Sequence, residues 1–127
     1  MASPAQAFGA RLGPIDPRRL VFIDEAGVTT NMVRTHGRAP RGQRAYGTAP
    51  AGCWRRLTVL GALGADGVAA AMTIERATDT AVFTAFLDHV LIPELVRTTP
   101  DAVVIMDNLS PHKAPAVRRR LEAAGLE

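Results

Sequence analysis

Two aspartates in this chain close runs of apolar residues. Leu20, Val21, Phe22 and Ile23 lead into Asp24, and Val103, Val104, Ile105 and Met106 lead into Asp107, after which the sequence breaks into Asn108, Leu109, Ser110, Pro111, His112 and Lys113. Unbroken apolarity over such a length suits a strand covered on both faces. Neighbouring strands lie about 4.8 Å apart, so two carboxylates at matching heights repel unless a cation or a shared proton lies between them. Hard oxygen ligands in a small open site suit Mg2+ or Mn2+ rather than zinc. A divalent ion held in this way activates water and steadies the leaving oxygen in phosphodiester cleavage, and a further carboxylate completes a two-metal site. Taken singly, each residue has a plainer reading: Asp24 as an ordinary strand-end carboxylate, Asp107 as a turn residue bonding the backbone that follows. The repeated pattern, with arginines between, favours the pair. Glu25 should point to the opposite strand face. His112 is better placed than His36 or His89 to touch a substrate, the alternative being a hydrogen-bonded turn residue.

The elements that must position these groups follow from periodicity and breakers. Residues 1–17 are rich in Ala, Pro and Gly without periodicity and read as a disordered tail or linker remnant, with the domain occupying 18–127. The first strand covers Leu20 to Ile23, and Gly27 ends or bends it. Residues 34–52 carry Gly37, Pro40, Gly42, Gly47, Pro50 and Gly52, so at best one irregular strand passes through 41–46. The stretches LTVLGALG and VAAAMTIE, separated by Ala65, Asp66 and Gly67, read as a hairpin. Phe83, Phe86, Leu87, Val90 and Leu91 fall at helical spacing, with Thr78, Asp79 or Thr80 as cap and a bend or stop around Pro93. A strand over 102–107 follows, then a helix with Val117, Leu121 and Ala124 on one face, closed by Gly125. The layout is α/β: antiparallel strands first, and a later strand joined through a helix and lying parallel beside the first.

The 127 residues, 47% hydrophobic, allow one domain with a real core. No apolar stretch approaches the roughly 20 residues that cross a bilayer, and the N-terminus has no signal-peptide core, so a cytoplasmic location is expected. The single cysteine, Cys53, forms neither an internal disulfide nor a Cys-rich zinc site. Net charge is +3, but the basic residues cluster at Arg34, Arg38, Arg41 and Arg44, at Arg55 and Arg56, and at Arg118, Arg119 and Arg120. Guanidinium groups on a Gly/Pro-punctuated segment suit phosphate contact; a solvated arginine-rich loop is the competing reading. Trp54 reads either as a base-stacking platform or as an anchor for the next strand. The Arg118 to Arg120 triplet reads as a solvated helix face.

The strings LVFIDEAGV, RTHGRAPRGQRA, WRRLTVLGALGADGV and VVIMDNLSPHKAPAVRRRLEAAG resemble the catalytic domain of mariner-type bacterial insertion-sequence transposases, the DDE superfamily endonucleases, over about residues 18–127. The resemblance implies a ribonuclease H-like mixed sheet with flanking helices. It also implies a site in which acidic residues bind Mg2+ or Mn2+ for strand cleavage and transfer at transposon ends. By position Asp24 and Asp107 are the first two acidic residues, catalytic and metal-binding together. Arg38, Arg41, Arg44, Arg55, Arg56, His112 and Lys113 are the expected DNA contacts. The family's third acidic residue lies further on, beyond a fifth strand; Glu127 would start that strand and is not the third ligand. The fold is therefore expected to be incomplete, with the 102–107 strand an unpaired apolar edge and the chain inactive unaided. It would be either a gene remnant or one part of a split enzyme, partnered by the remaining transposase segments or a full-length transposase.

Two rivals differ in class. Receiver domains share the length and the strand-end acids, but the hairpin and arginine loop break their alternating strand-helix order. A basic fragment that binds DNA or a transposase without chemistry is the stronger alternative.

Overall fold

A computed structural model describes residues 3–127. Four strands form one sheet: β1 (Leu20–Thr29), β2 (Arg56–Gly64), β3 (Gly67–Ile74) and β4 (Val103–Met106), in the spatial order β3-β2-β1-β4. The first three are antiparallel neighbours, and β4 runs parallel to β1. The hairpin turns on Ala65 and Asp66, with the positive φ (115°) carried by Gly67. A bulge near Ala62 and Leu63 shifts the register. Arg19 anchors the parallel pair at its start, its Nε donating to the Asp101 carbonyl at 2.8 Å and lying 2.9 Å from the Asp101 carboxylate.

Helices cover one face. A long helical segment runs as α2 (Thr80–Phe86), a π-helical turn (Leu87–Leu91) and α3 (Ile92–Thr98), and α4 (Pro115–Ala123) follows β4. Asp79 caps the start, its carboxylate accepting from the Val82 amide at 2.8 Å. The expected break at Pro93 is a widening instead. Proline lacks the N–H for the ordinary bond and its ring crowds the carbonyl four residues back, and just before it the Ile92 N–H reaches the Leu87 carbonyl five residues back. Phe83, Phe86, Leu87, Leu91 and Leu95 are fully buried and pack with Val21, Ile23, Leu60 and Ala62 of the sheet and Val117 and Leu121 of α4. Arg120, expected on a solvated face, ties α4 to the π-helical turn through Asp88, Nε to Oδ1 at 2.8 Å.

Three further expectations are corrected. Residues 4–12 form a helix, α1 (Pro4–Leu12), because Ser3 and Gln6 make a reciprocal capping box; none of its residues is buried, so it lies outside the core. β1 continues past Gly27 to Thr29, since β2 pairs with it as far as Arg56. No strand forms over 41–46, where the chain is exposed and Gly42 takes a positive φ of 83°. The outer edge of β4 begins to pair: the Glu127 amide donates to the Ala102 carbonyl at 3.2 Å and the Val104 amide to the Glu127 carbonyl at 2.8 Å. That pattern places Glu127 parallel to β4 opposite Val103, as a fifth strand's first residue would be. No helix is long and apolar enough to cross a membrane among the described residues.

Candidate active site

The parallel ladder aligns Leu20 with Val103, Val21 with Val104, Phe22 with Ile105 and Ile23 with Met106. One step on, Asp24 and Asp107 end the paired stretch on adjacent strands. Alternation puts Val21 and Ile23 into the core, so Asp24 stands on the opposite, helix-free face with Phe22. Across the antiparallel pair its neighbour is Gly61, where even an added Cβ would meet nothing within 4 Å. The space beside Asp24 is open.

Each carboxylate is held by one oxygen. Asp24 Oδ1 accepts from the Glu25 amide at 2.8 Å. Asp107 Oδ1 accepts from the Leu109 amide at 3.3 Å, the turn contact expected of it, and lies 2.8 Å from His112 Nδ1. Among the described residues neither Oδ2 has a protein hydrogen-bond partner. Two exposed carboxylates on neighbouring strands, each with one oxygen free of protein partners among the described residues, are of the hard-oxygen type that suits Mg2+ or Mn2+. They supply two ligand residues and no more: no group of three His, Cys, Asp or Glu suited to a metal occurs among the described residues.

Glu25 points to the core side, partly buried, with Oε2 buried and without a partner among the described residues. His112 is not at the surface. Its side chain is 3% exposed and its ring packs on Phe83 with centroids 4.3 Å apart, which removes it from the expected DNA contacts. Lys113 is exposed beside it. Arg38, Arg41, Arg44, Arg55 and Arg56 are all exposed. The loop carrying the first three is pinched at its base, where the Thr30 amide donates to the Arg55 carbonyl at 2.9 Å and the Arg55 amide to Thr30 Oγ1 at 3.0 Å. Trp54, 55% exposed, and Tyr46, 89% exposed, stand on this loop among the arginines. A further feature escapes any reading of local pattern: Val68, Leu63, Phe22 and Ile105 lie in one row across all four strands on the helix-free face, the first three 73%, 52% and 45% exposed.

The family described as DDE superfamily endonuclease matches residues 19–127. The chain belongs to that family. Solved structures agree. The Mos1 strand transfer complex is 25% identical with a TM-score of 0.73, matching 95% of this chain and 37% of its own. The mariner Mos1 paired-end complex with Mg is 24% identical, with a TM-score of 0.73 and coverage of 95% and 38%. The catalytic domain of Mos1 mariner transposase is 18% identical, with a TM-score of 0.65 and coverage of 95% and 53%. The sheet thus has the ribonuclease H-like fold of the Mos1 catalytic domain, and the chain spans little more than half of even that isolated domain. No individually curated protein matches it.

Proposed function

We propose that this chain is the metal-binding and DNA-facing half of a transposase catalytic domain of the insertion-sequence type, acting on transposon-end DNA in the cytoplasm. The observation that carries the reading is that Asp24 and Asp107 are the residues next after the paired stretch on two neighbouring parallel strands of a DDE-family chain. Asp24 and Asp107 hold the ion through their free oxygens, while Arg38, Arg41, Arg44, Arg55, Arg56 and Lys113 bind the DNA backbone and set its register. A bound Mg2+ or Mn2+ supplies Lewis-acid stabilisation of the attacking and leaving phosphodiester oxygens.

These 127 residues bring two carboxylates to the site, so the proposal includes weak ion binding and no strand cleavage or joining by this segment unaided. The apolar row from Val68 to Ile105 and the outer edge of β4 are where the rest of a catalytic domain, from the same or a second polypeptide, covers the sheet and adds the third acidic residue. In a melting experiment Mn2+ raises the wild-type midpoint, and Asp24→Ala and Asp107→Ala each abolish the rise. An unchanged rise in both variants refutes the metal site.

A second reading, a DNA- or transposase-binding fragment without chemistry, is favoured by the same shortage of acidic ligands and by the exposed arginine loop. It expects DNA affinity that falls steeply with salt and is indifferent to Asp24→Asn.

A further inference from the structure

Asp107 lies one residue past the end of β4 and its side chain is 55% exposed, so the strand ladder does not fix where its oxygens point. Asp24, inside β1 and bonded to its neighbour's amide, is fixed by the backbone. The local turn contact is long, the Leu109 amide reaching Oδ1 at 3.3 Å, and the closer hold on Asp107 comes from the far side of the sheet. The turn after it folds back, with the His112 amide donating to the Leu109 carbonyl at 3.1 Å, and lays the imidazole on Phe83, itself 0% exposed. From there Nδ1 sits 2.8 Å from Asp107 Oδ1 and 3.2 Å from the Asp107 carbonyl oxygen. Both are acceptors, so Nδ1 must carry the proton and donate. Among the described residues Nε2 is buried with no partner, a cost that an apolar filler would not carry. A ring present only for packing has no use for the nitrogen pair; a ring that aims a carboxylate does.

We infer that His112 is a positioning residue: from the hydrophobic core it holds Asp107 Oδ1 and leaves Oδ2 turned to the ion that Asp24 shares. This rests on the proposed metal site. Outer-sphere donors of this kind fix ligand orientation, and their loss typically weakens metal binding about 10- to 100-fold.

The test uses the 127-residue chain and Mn2+ alone. Ring-nitrogen NMR of the metal-free protein is expected to place a proton on His112 Nδ1; a proton on Nε2 only overturns the inference without involving metal. His112→Phe, which keeps an aromatic ring against Phe83, is expected to weaken Mn2+ binding at least about tenfold. His112→Asn puts a donor where Nδ1 stands and should retain binding, whereas His112→Gln, whose donor stands nearer Nε2, should not. Wild-type affinity in His112→Phe, or equal loss in the Asn and Gln variants while both stay folded, reduces the histidine to packing. If the wild type and Asp24→Ala respond alike to Mn2+, the metal site fails and the inference with it, a failure read on a variant that leaves His112 untouched.

Discussion

The two faces of the sheet are made from alternate residues of the same strands and do opposite work. On one face Val21, Ile23, Leu60 and Ala62 meet the helices and disappear from solvent. On the other, Phe22, Leu63 and Val68 stay roughly half exposed or more, and Asp24 stands among them. Stability is built on the first face, and the second presents the proposed site. Strand pairing joins them, because burial of one set of side chains holds the backbone that presents the other. His112 is the exception, a core side chain that reaches a carboxylate at the site.

Leu60 and Leu63 offer the most direct way to break that comparison, being the same residue type on one strand with opposite faces. Leu60→Ala is expected to cost about 2–5 kcal/mol in urea unfolding, the range for a fully buried leucine. Leu63→Ala is expected to cost well under about 1 kcal/mol, since it is 52% exposed. A large loss at Leu63 that grows with protein concentration would show the open face covered by self-association.

A smaller loss is expected where the packed face begins. The Val82 amide bond, seconded by Arg76, holds the Asp79 carboxyl below its ordinary 3.8, against a desolvation effect in the other direction. A depressed folded pKa contributes stability above the unfolded value and loses it as pH falls through the folded one. Asp79→Ala should therefore lower the melting midpoint at pH 7, and the gap from wild type should close in acid below the ordinary aspartate range. A gap independent of pH would remove the charge from the cap's role.

Much of this was legible in the sequence because it rests on local pattern. The apolar runs into Asp24 and Asp107, the Asp66-Gly67 hairpin and the Phe83 to Leu91 stripe all appear where periodicity placed them. The α1 helix was readable too, from Ser3, Pro4 and Gln6, but none of its residues is buried and apolar spacing gave no warning. What sequence could not supply was decided by partners distant in the chain. β2 extends β1 past Gly27, Asp88 ties down Arg120, and Phe83 draws in His112. The exposed row on the open face is invisible until register aligns Phe22 with Leu63 and Ile105.

At the site itself the sign of the effect reverses. Two carboxylates on neighbouring strands with no ion between them repel by about 1 kcal/mol or less at exposed positions. Asp24→Asn should thus leave metal-free stability equal or slightly raised while abolishing the Mn2+ response. A clear loss of stability would make Asp24 structural, held by its bond with the Glu25 amide.

The least stability change is expected in the arginine loop, which extends the logic of the open face to its limit. Arg38, Arg41 and Arg44 are exposed, and the loop is closed at its base by Thr30 and Arg55. Replacing all three by Ala should move unfolding by no more than about 0.5 kcal/mol. DNA binding should respond differently, because each neutralised phosphate releases counterions: the slope of log affinity against log salt should flatten by about 0.9 for every phosphate that the variant no longer neutralises. An unchanged slope would mean that the loop does not touch the backbone, leaving Arg55, Arg56 and Lys113 to carry the DNA. A flattened slope with intact folding would show that the residues that meet DNA contribute almost nothing to holding the sheet together.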